Sequence, residues 1–199
     1  MNSGMDVATK DNYPLQNYLR DDSKENESIA SGMLTNYTLM KDQKISFYIY
    51  NLQEGRDLFV SSDLPYDYSY NVKEEEWFKF FKASNKKMMT LATHIDQQTK
   101  SKKYVLAHVR KILDANSGIV LGIMVVPIDL SVIDVVSSRL QQALRSRLTI
   151  VDEANTIIYN ANTSLIGEQV ASIRPDEKHN IIVEGSFERN RWKTYLYMP

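Results

Sequence analysis

Aromatic residues crowd one short stretch of the chain, among them Tyr66, Tyr68, Tyr70, Trp77 and Phe81. Aromatic rings beside a few placed polar groups wall small-molecule pockets, where they stack on a sugar or cup a cation. The competing use of Trp77, Phe80 and Phe81 is to pack a helix onto a sheet. His94, Tyr104, His108 and Arg110 lie on strands that could face this cluster. By strand alternation Tyr104, His108 and Arg110 share one face, with Val105, Ala107 and Val109 on the other. Arg110 suits a carboxylate in bidentate geometry, or else stands solvated or ion-paired. His94 and Asp96, at i and i+2 on one strand face, offer a metal two ligands, and no H-x-x-x-H spacing supplies more. The candidate ligand-contacting set is Tyr68, Tyr70, Trp77, Phe81, His94, Asp96, Tyr104, His108 and Arg110, with no metal and no cofactor expected.

Other chemistries lack their residues. The chain has no cysteine, which removes disulfides, thiol catalysis, zinc–cysteine sites and iron–sulfur clusters. Gly55, Gly118 and Gly122 are isolated, so no glycine-rich loop cradles a phosphate. No G-x-S-x-G elbow occurs, and nothing marks a serine as a nucleophile. On these residues an enzyme is the weaker hypothesis, although a Ser/His/Asp set is spatial and stays open. With 24 basic against 25 acidic residues and a net charge of −1, it is not expected to bind nucleic acid.

The 199 residues are 43% hydrophobic, enough to build one domain or two small ones. The longest apolar stretch, Gly118 to Leu130, is 13 residues with a proline and an aspartate inside it. That falls short of the ~20 residues that span a bilayer. The polar opening Met1–Met5 leads into no hydrophobic segment and reads as a vector remnant on a piece of a longer protein.

The elements that must position the candidate residues alternate between two periods. Pro14 suits a first helical turn, and Leu15 and Leu19 follow at helical spacing. Ile29, Met33, Tyr37 and Met40 continue one apolar stripe. Residues 1–44 thus read as a long N-terminal helical segment, broken near residues 21–27, whose stripe packs on its own domain or forms a dimer seam. From Ile45 the period becomes two, giving a hairpin around Gly55, then a short helix carrying Trp77, Phe80 and Phe81. Three further strands follow, "KMMTLATHI", "YVLAHVRKIL" and "GIVLGIMVVPI". Ser131 and Asp134 form a capping-box pattern before a helix that ends near Arg145–Arg147. "RLTIV" and "TIIY" make another strand pair, "SLIGEQVASI" a short helical piece, and a last hairpin closes the chain. The fold class is α+β, with two modules of one kind.

This order of elements resembles the double Cache (dCache) extracellular sensor domains of bacterial membrane receptors, most of all those of sensor histidine kinases. The residues that carry the resemblance run from "YIYNLQEGRDLFVSS", through Trp77 and "YVLAHVRKILDANSGIVLGIMVVPIDL", to "TIVDEANTIIYNANTSLIGEQV". It implies a long N-terminal helix followed by two PAS-like modules with antiparallel sheets. Residues 45–130 would be the membrane-distal ligand cup, 131–146 a connecting helix and 147–199 a smaller membrane-proximal module. The implied function is extracytoplasmic ligand sensing for a two-component histidine kinase. A chemotaxis receptor, a cyclic-dinucleotide cyclase, or a module sensing a partner solute-binding protein are the alternatives. Flanking membrane helices and a homodimer through the N-terminal helix are also implied.

One branch of that family binds amino acids through Tyr, then Arg-x-Trp-Tyr, then a later Asp. Tyr70 and Trp77 match, while Glu75 replaces the Arg and Phe78 the second Tyr. The late Asp falls near "VVPIDL", where Pro127 takes the position and Asp129 lies two residues on. Glu75 would repel a ligand carboxylate, so a sugar, a cation or a neutral solute is expected in preference to a standard amino acid.

Overall fold

The computed structural model describes residues 12–39, 45–61, 65–172, 181–187 and 191–198. The chain divides into two compact units. The first comprises Met1–Leu91, Ile95–Lys103 and Ala107–Ile128, the second Ala92–His94, Tyr104–Leu106 and Asp129–Pro199. The fold is α+β, with one antiparallel sheet at the centre of each unit.

The first unit opens with α1 (Tyr13–Arg20) and α2 (Lys24–Leu39). The Asn12 side chain caps α1 by accepting from the Leu15 N–H at 3.2 Å, and Pro14 sits in the first turn, where its missing N–H costs nothing. The helix stops at Asp21, whose backbone is extended. It restarts because polar side chains recapture the freed backbone groups: Asp21 accepts from the Ser23 N–H, and Ser23 from the Asn26 N–H. The break falls inside the polar run that the sequence marks.

The sheet that follows has the order β2-β1-β5-β4-β3, from β1 (Phe47–Asn51), β2 (Leu58–Val60), β3 (Met88–Ile95), β4 (Tyr104–Leu113) and β5 (Val120–Asp129). Between β2 and β3 lies α3 (Glu76–Ala83). Alternation splits the strand residues between two cores. Phe47 and Ile49 join Leu15, Tyr18 and Leu19 of α1 and Ala30 and Leu34 of α2. Tyr48 and Tyr50 turn the other way, toward Phe78 and Phe81 of α3 with Ala107, Val109, Ile123 and Val125.

Two helix faces are rotated from the sequence reading. In α2 the fully buried residues are Ala30 and Leu34, whereas Ile29 is 52% exposed and Met33 and Tyr37 pack at the margin. The buried positions Ala30, Leu34 and Thr38 keep the same four-residue spacing one position further on, and two of them carry small side chains, so side-chain size does not mark the buried centre. Met40 lies outside the described residues. In α3 the buried pair is Phe78 and Phe81, and Phe80 is exposed.

α1 lies close against the sheet at Gly122. A Cβ there would stand 2.9 Å from the Tyr50 carbonyl oxygen and 3.0 Å from both Leu19 methyls. Gly122→Ala is expected to cost about 1–3 kcal/mol through overpacking, read as a Tm drop of several degrees in a thermal melt. An unchanged Tm would mean that α1 yields freely.

The β4–β5 turn is tied to α1 through Asp114, whose carboxylate accepts from the Asn116 and Ser117 N–H groups at 2.8 and 2.9 Å and from Arg20 Nε at 3.0 Å. The Ser117 N–H, the Arg20 guanidinium and the Asn116 N–H hold this carboxyl far below its ordinary value of 3.8. The unfolded chain therefore binds the proton more tightly, and the stabilisation present above pH 3.8 is lost as pH falls below it. The Tm gap between wild type and Asp114→Asn is expected to narrow on acidification below that point. A gap that stays constant would show the carboxylate is not what the turn needs.

The second unit holds α4 (Ser131–Leu144) and the sheet β7-β6-β9-β8, from β6 (Arg147–Val151), β7 (Ile157–Asn160), β8 (Ile181–Phe187) and β9 (Trp192–Met198). Its core gathers Val151, Ile157, Val170, Tyr195 and Tyr197. Asp134 does not cap α4; it accepts from the Tyr159 hydroxyl at 2.7 Å, and the Ser131 N–H goes to Asp129 at 2.9 Å. In place of the short helix expected from Ser164, the described residues form two 3₁₀ turns, Thr163–Leu165 and Val170–Ser172, separated at Gly167, whose φ of +93° leaves helical space.

Candidate ligand-binding site

The aromatic face of the first sheet is built from four pieces of chain. β1 contributes Tyr48 and Tyr50 and β2 contributes Phe59; loop 65–71 adds Tyr66, Tyr68 and Tyr70, and α3 adds Trp77, Phe78 and Phe81. The rings meet edge to face: Tyr48–Phe59 at 6.0 Å, Tyr50–Phe59 at 5.8 Å, Tyr50–Phe78 at 5.6 Å and Trp77–Phe78 at 5.5 Å. That geometry sets the positive edge of one ring on the negative face of the next.

The turn after β3 satisfies two of these phenols. Tyr48 donates to Asp96 Oδ2 at 2.8 Å, and Tyr50 donates to Gln98 Oε1 at 2.8 Å. Asp96 also accepts from the Gln98 N–H at 3.0 Å. Burial first, then the Asp96 charge, drives the Tyr48 phenol well above its ordinary value, and burial does the same to Tyr50. Both therefore stay neutral and donate.

Beside these rings lies a cavity of about 670 Å³, lined by Tyr50, Leu58, Phe59, Tyr68, Tyr70, Asn71, Val72 and Gln98, with the charged residues Glu27, Arg56 and Asp57. The size falls in the range of small-molecule sites. Arg56 pairs with Asp22 and Glu27, each at 3.0 Å, and Asp57 pairs with Lys73 at 2.9 Å. Tyr18 donates to the Arg56 carbonyl at 3.0 Å, and burial pushes its phenol up to about 12.

The expected residues are scattered by this arrangement. Tyr68 and Tyr70 line the cavity. Trp77 and Phe81 stand next to it in the aromatic core, with Lys111 Nζ 5.3 Å above the Phe81 ring. Asp96 is buried and holds Tyr48. Ala107 and Val109 take the aromatic side of β4, so alternation turns His108 and Arg110 to the opposite face, against the expectation that they face the rings. His108 meets the Thr90 hydroxyl at 3.2 Å, and burial lowers its pKa. His94 and Tyr104 belong to the second unit. Among the described residues, no cluster of three or more His, Cys, Asp or Glu could hold a metal.

Tyr50, Arg56, Asp57, Phe59 and Gln98 line the cavity and were missed in the sequence. For Tyr50 a signal existed, since Tyr48 and Tyr50 alternate with Phe47 and Ile49. Arg56 and Asp57 sit in a polar turn, where nothing local marks a residue as facing a pocket. Glu75 lies at the N-terminal boundary of α3, beside Tyr70, and does not line the cavity. Asp129 belongs to the second unit.

A two-sheet α+β chain with an aromatic, polar-edged cavity on its first sheet is built as a ligand-sensing domain. The sequence matches the family model dCache_1, a Cache domain, over residues 6–198, and the chain belongs to this family. Cache domains are ligand-binding sensor domains of membrane receptors. No helix among the described residues is long and apolar enough to cross a membrane.

Comparison with curated proteins gives no match. Among solved structures, the fold is similar to the ligand-binding domain of the Pseudomonas fluorescens chemoreceptor CtaA in complex with L-serine. There the TM-score is 0.60 and the identity 12%, covering 98% of this chain and 88% of that one. It is also similar to the ligand-binding domain of the Pseudomonas aeruginosa PAO1 amino acid chemoreceptor PctB with L-Arg, at TM-score 0.66 and 11% identity over 98% and 86%. The extracellular domain of the putative histidine kinase vpHK1S-Z8 matches at TM-score 0.64 and 14% identity, over 98% and 81%.

These structures overturn the preference for a sugar, cation or neutral solute over an amino acid, because domains of this fold hold L-serine and L-arginine. The physical premise fails as well. Glu75 was to repel a carboxylate from the pocket, yet Arg56, not Glu75, lines the cavity.

Proposed function

We propose that this chain is the extracytoplasmic sensor of a membrane-bound histidine kinase and that an amino acid binds in the cavity of the first unit. The observation that carries this reading is the cavity itself, about 670 Å³ with aromatic walls and charges of both signs. An amino acid presents both charges and a side chain of variable polarity. Amino-acid complexes of CtaA and PctB support the ligand class, and the likeness to vpHK1S-Z8 supports the kinase output. The parent protein then carries the catalytic activity, and the ligand regulates it by binding one of this domain's two conformations more tightly than the other.

A thermal-shift screen of the purified domain against the individual L-amino acids and GABA tests the ligand class. At ~100 times its dissociation constant a ligand adds ~2.7 kcal/mol, a shift of several degrees for a chain of this size. No shift across the panel would sink the amino-acid reading. The chemoreceptor output is the second reading, because CtaA and PctB are chemoreceptors. Ligand-dependent autophosphorylation of the full-length protein in membrane vesicles decides between the two.

A further inference from the structure

An amino acid brings a carboxylate that needs a cationic partner. The cavity offers one. Arg56 lines it with a side chain 59% exposed. Its Nε donates to Asp22 Oδ2 at 3.0 Å, and its Nη2 donates to the Asp22 carbonyl at 2.7 Å and to Glu27 Oε2 at 3.0 Å. Those contacts fix the plane of the guanidinium. Nη1 is left with two N–H groups that no described residue accepts, enough to hold a carboxylate.

The next residue, Asp57, also lines the cavity and has the opposite charge. Its Oδ1 accepts from the Asn51 N–H at 2.8 Å and from Lys73 Nζ at 2.9 Å. No described residue donates to Oδ2, which keeps its capacity to accept from an ammonium. The two groups are held from behind by other parts of the unit, which lowers the ordering cost of binding. Tyr68, Tyr70 and Phe59 stand beside them as the wall for a side chain.

We propose that Arg56 and Asp57 form a zwitterion clamp, with Arg56 Nη1 taking the α-carboxylate of the ligand and Asp57 Oδ2 its α-ammonium. The clamp rests on the amino-acid reading above. Both residues come from the β1–β2 turn, and the clamp makes the site selective for ligands that carry both charges close together.

Isothermal titration tests it with a near-isosteric trio matched to the strongest binder of the screen: for alanine, L-alanine, L-alaninamide and L-lactate. Wild type is expected to bind the amino acid roughly 10- to 100-fold more tightly than either analogue, the range for a hydrogen bond to a charged group. In Arg56→Gln the preference over the amide collapses toward one, while the preference over the hydroxy acid persists. In Asp57→Asn the pattern reverses. Arg56→Lys, which keeps the charge, gives an intermediate amide preference and serves if Arg56→Gln does not fold. Either preference surviving unchanged in its own variant overturns the clamp, as does a wild type indifferent to amide and hydroxy acid. If no amino acid binds wild type, the ligand class falls first and the clamp with it.

Discussion

Replacing Phe78 by alanine is expected to cost about 3–5 kcal/mol, roughly 6–20 °C in Tm for a chain of this length. The ring is 1% exposed and stands edge to face with Tyr50 at 88° and with Trp77 at 73°. Its removal leaves a hole bounded by other rings and by β-branched strand residues, which relax little toward it. Tyr50 loses the edge that orients it, so the cavity wall is disturbed along with the core. Phe80, two residues on and 60% exposed, is the internal control. Phe80→Ala is expected to stay within about 0.5 kcal/mol of wild type. Thermal melts of the two variants decide: equal losses would mean that α3 presents a different face to the sheet.

That contrast shows what a sequence reading of α3 can deliver. The spacing of Trp77, Phe80 and Phe81 announces a helix, and a helix forms. The same spacing does not say which aromatic edge is buried, because four rings in five positions fit several rotations of one turn. β4 repeats the lesson with period two. Alternation correctly separates His108 and Arg110 from Ala107 and Val109, but only the packed structure says which set meets α3. The order of strands and helices was legible because it rests on local periodicity and turn residues. The break between α1 and α2 was legible because polar side chains compete with the helix for its own backbone.

The cavity charges were not legible. Arg56 and Asp57 sit in a turn after Gly55, in the kind of run that is ordinarily solvent-exposed. They line the cavity because Asp22 and Glu27, some thirty positions earlier, reach over to fix Arg56, while Lys73 fixes Asp57 from the other side. No window along the sequence contains those five residues together. Reading Glu75 as the charge that meets the ligand failed for the same reason. A motif position was matched by spacing alone, and the side chain there lies beside Tyr70, outside the cavity.

Asp96 is where fold and site depend on the same few atoms. Its carboxylate is buried and accepts from the Tyr48 hydroxyl at 2.8 Å, the Gln98 N–H at 3.0 Å and the Thr99 hydroxyl at 3.3 Å. Asp96→Ala strands these donors in a site walled by aromatic rings and is expected to cost about 2–5 kcal/mol. Tyr48→Phe removes one partner and leaves the acceptor its other two, so it should cost less. The double variant Tyr48→Phe/Asp96→Ala should cost less than the sum of the singles, because it no longer buries an orphaned phenol. A coupling of about 0.5–3 kcal/mol from chemical denaturation is the expected size. The same turn delivers Gln98 to the cavity, where its Oε1 holds Tyr50. Asp96→Asn, which keeps an acceptor for Tyr48, should therefore fold better than Asp96→Ala yet still weaken ligand binding. Strict additivity in the double variant would mean that the hydroxyl finds another partner, and that the turn is held by Thr99 and the backbone alone.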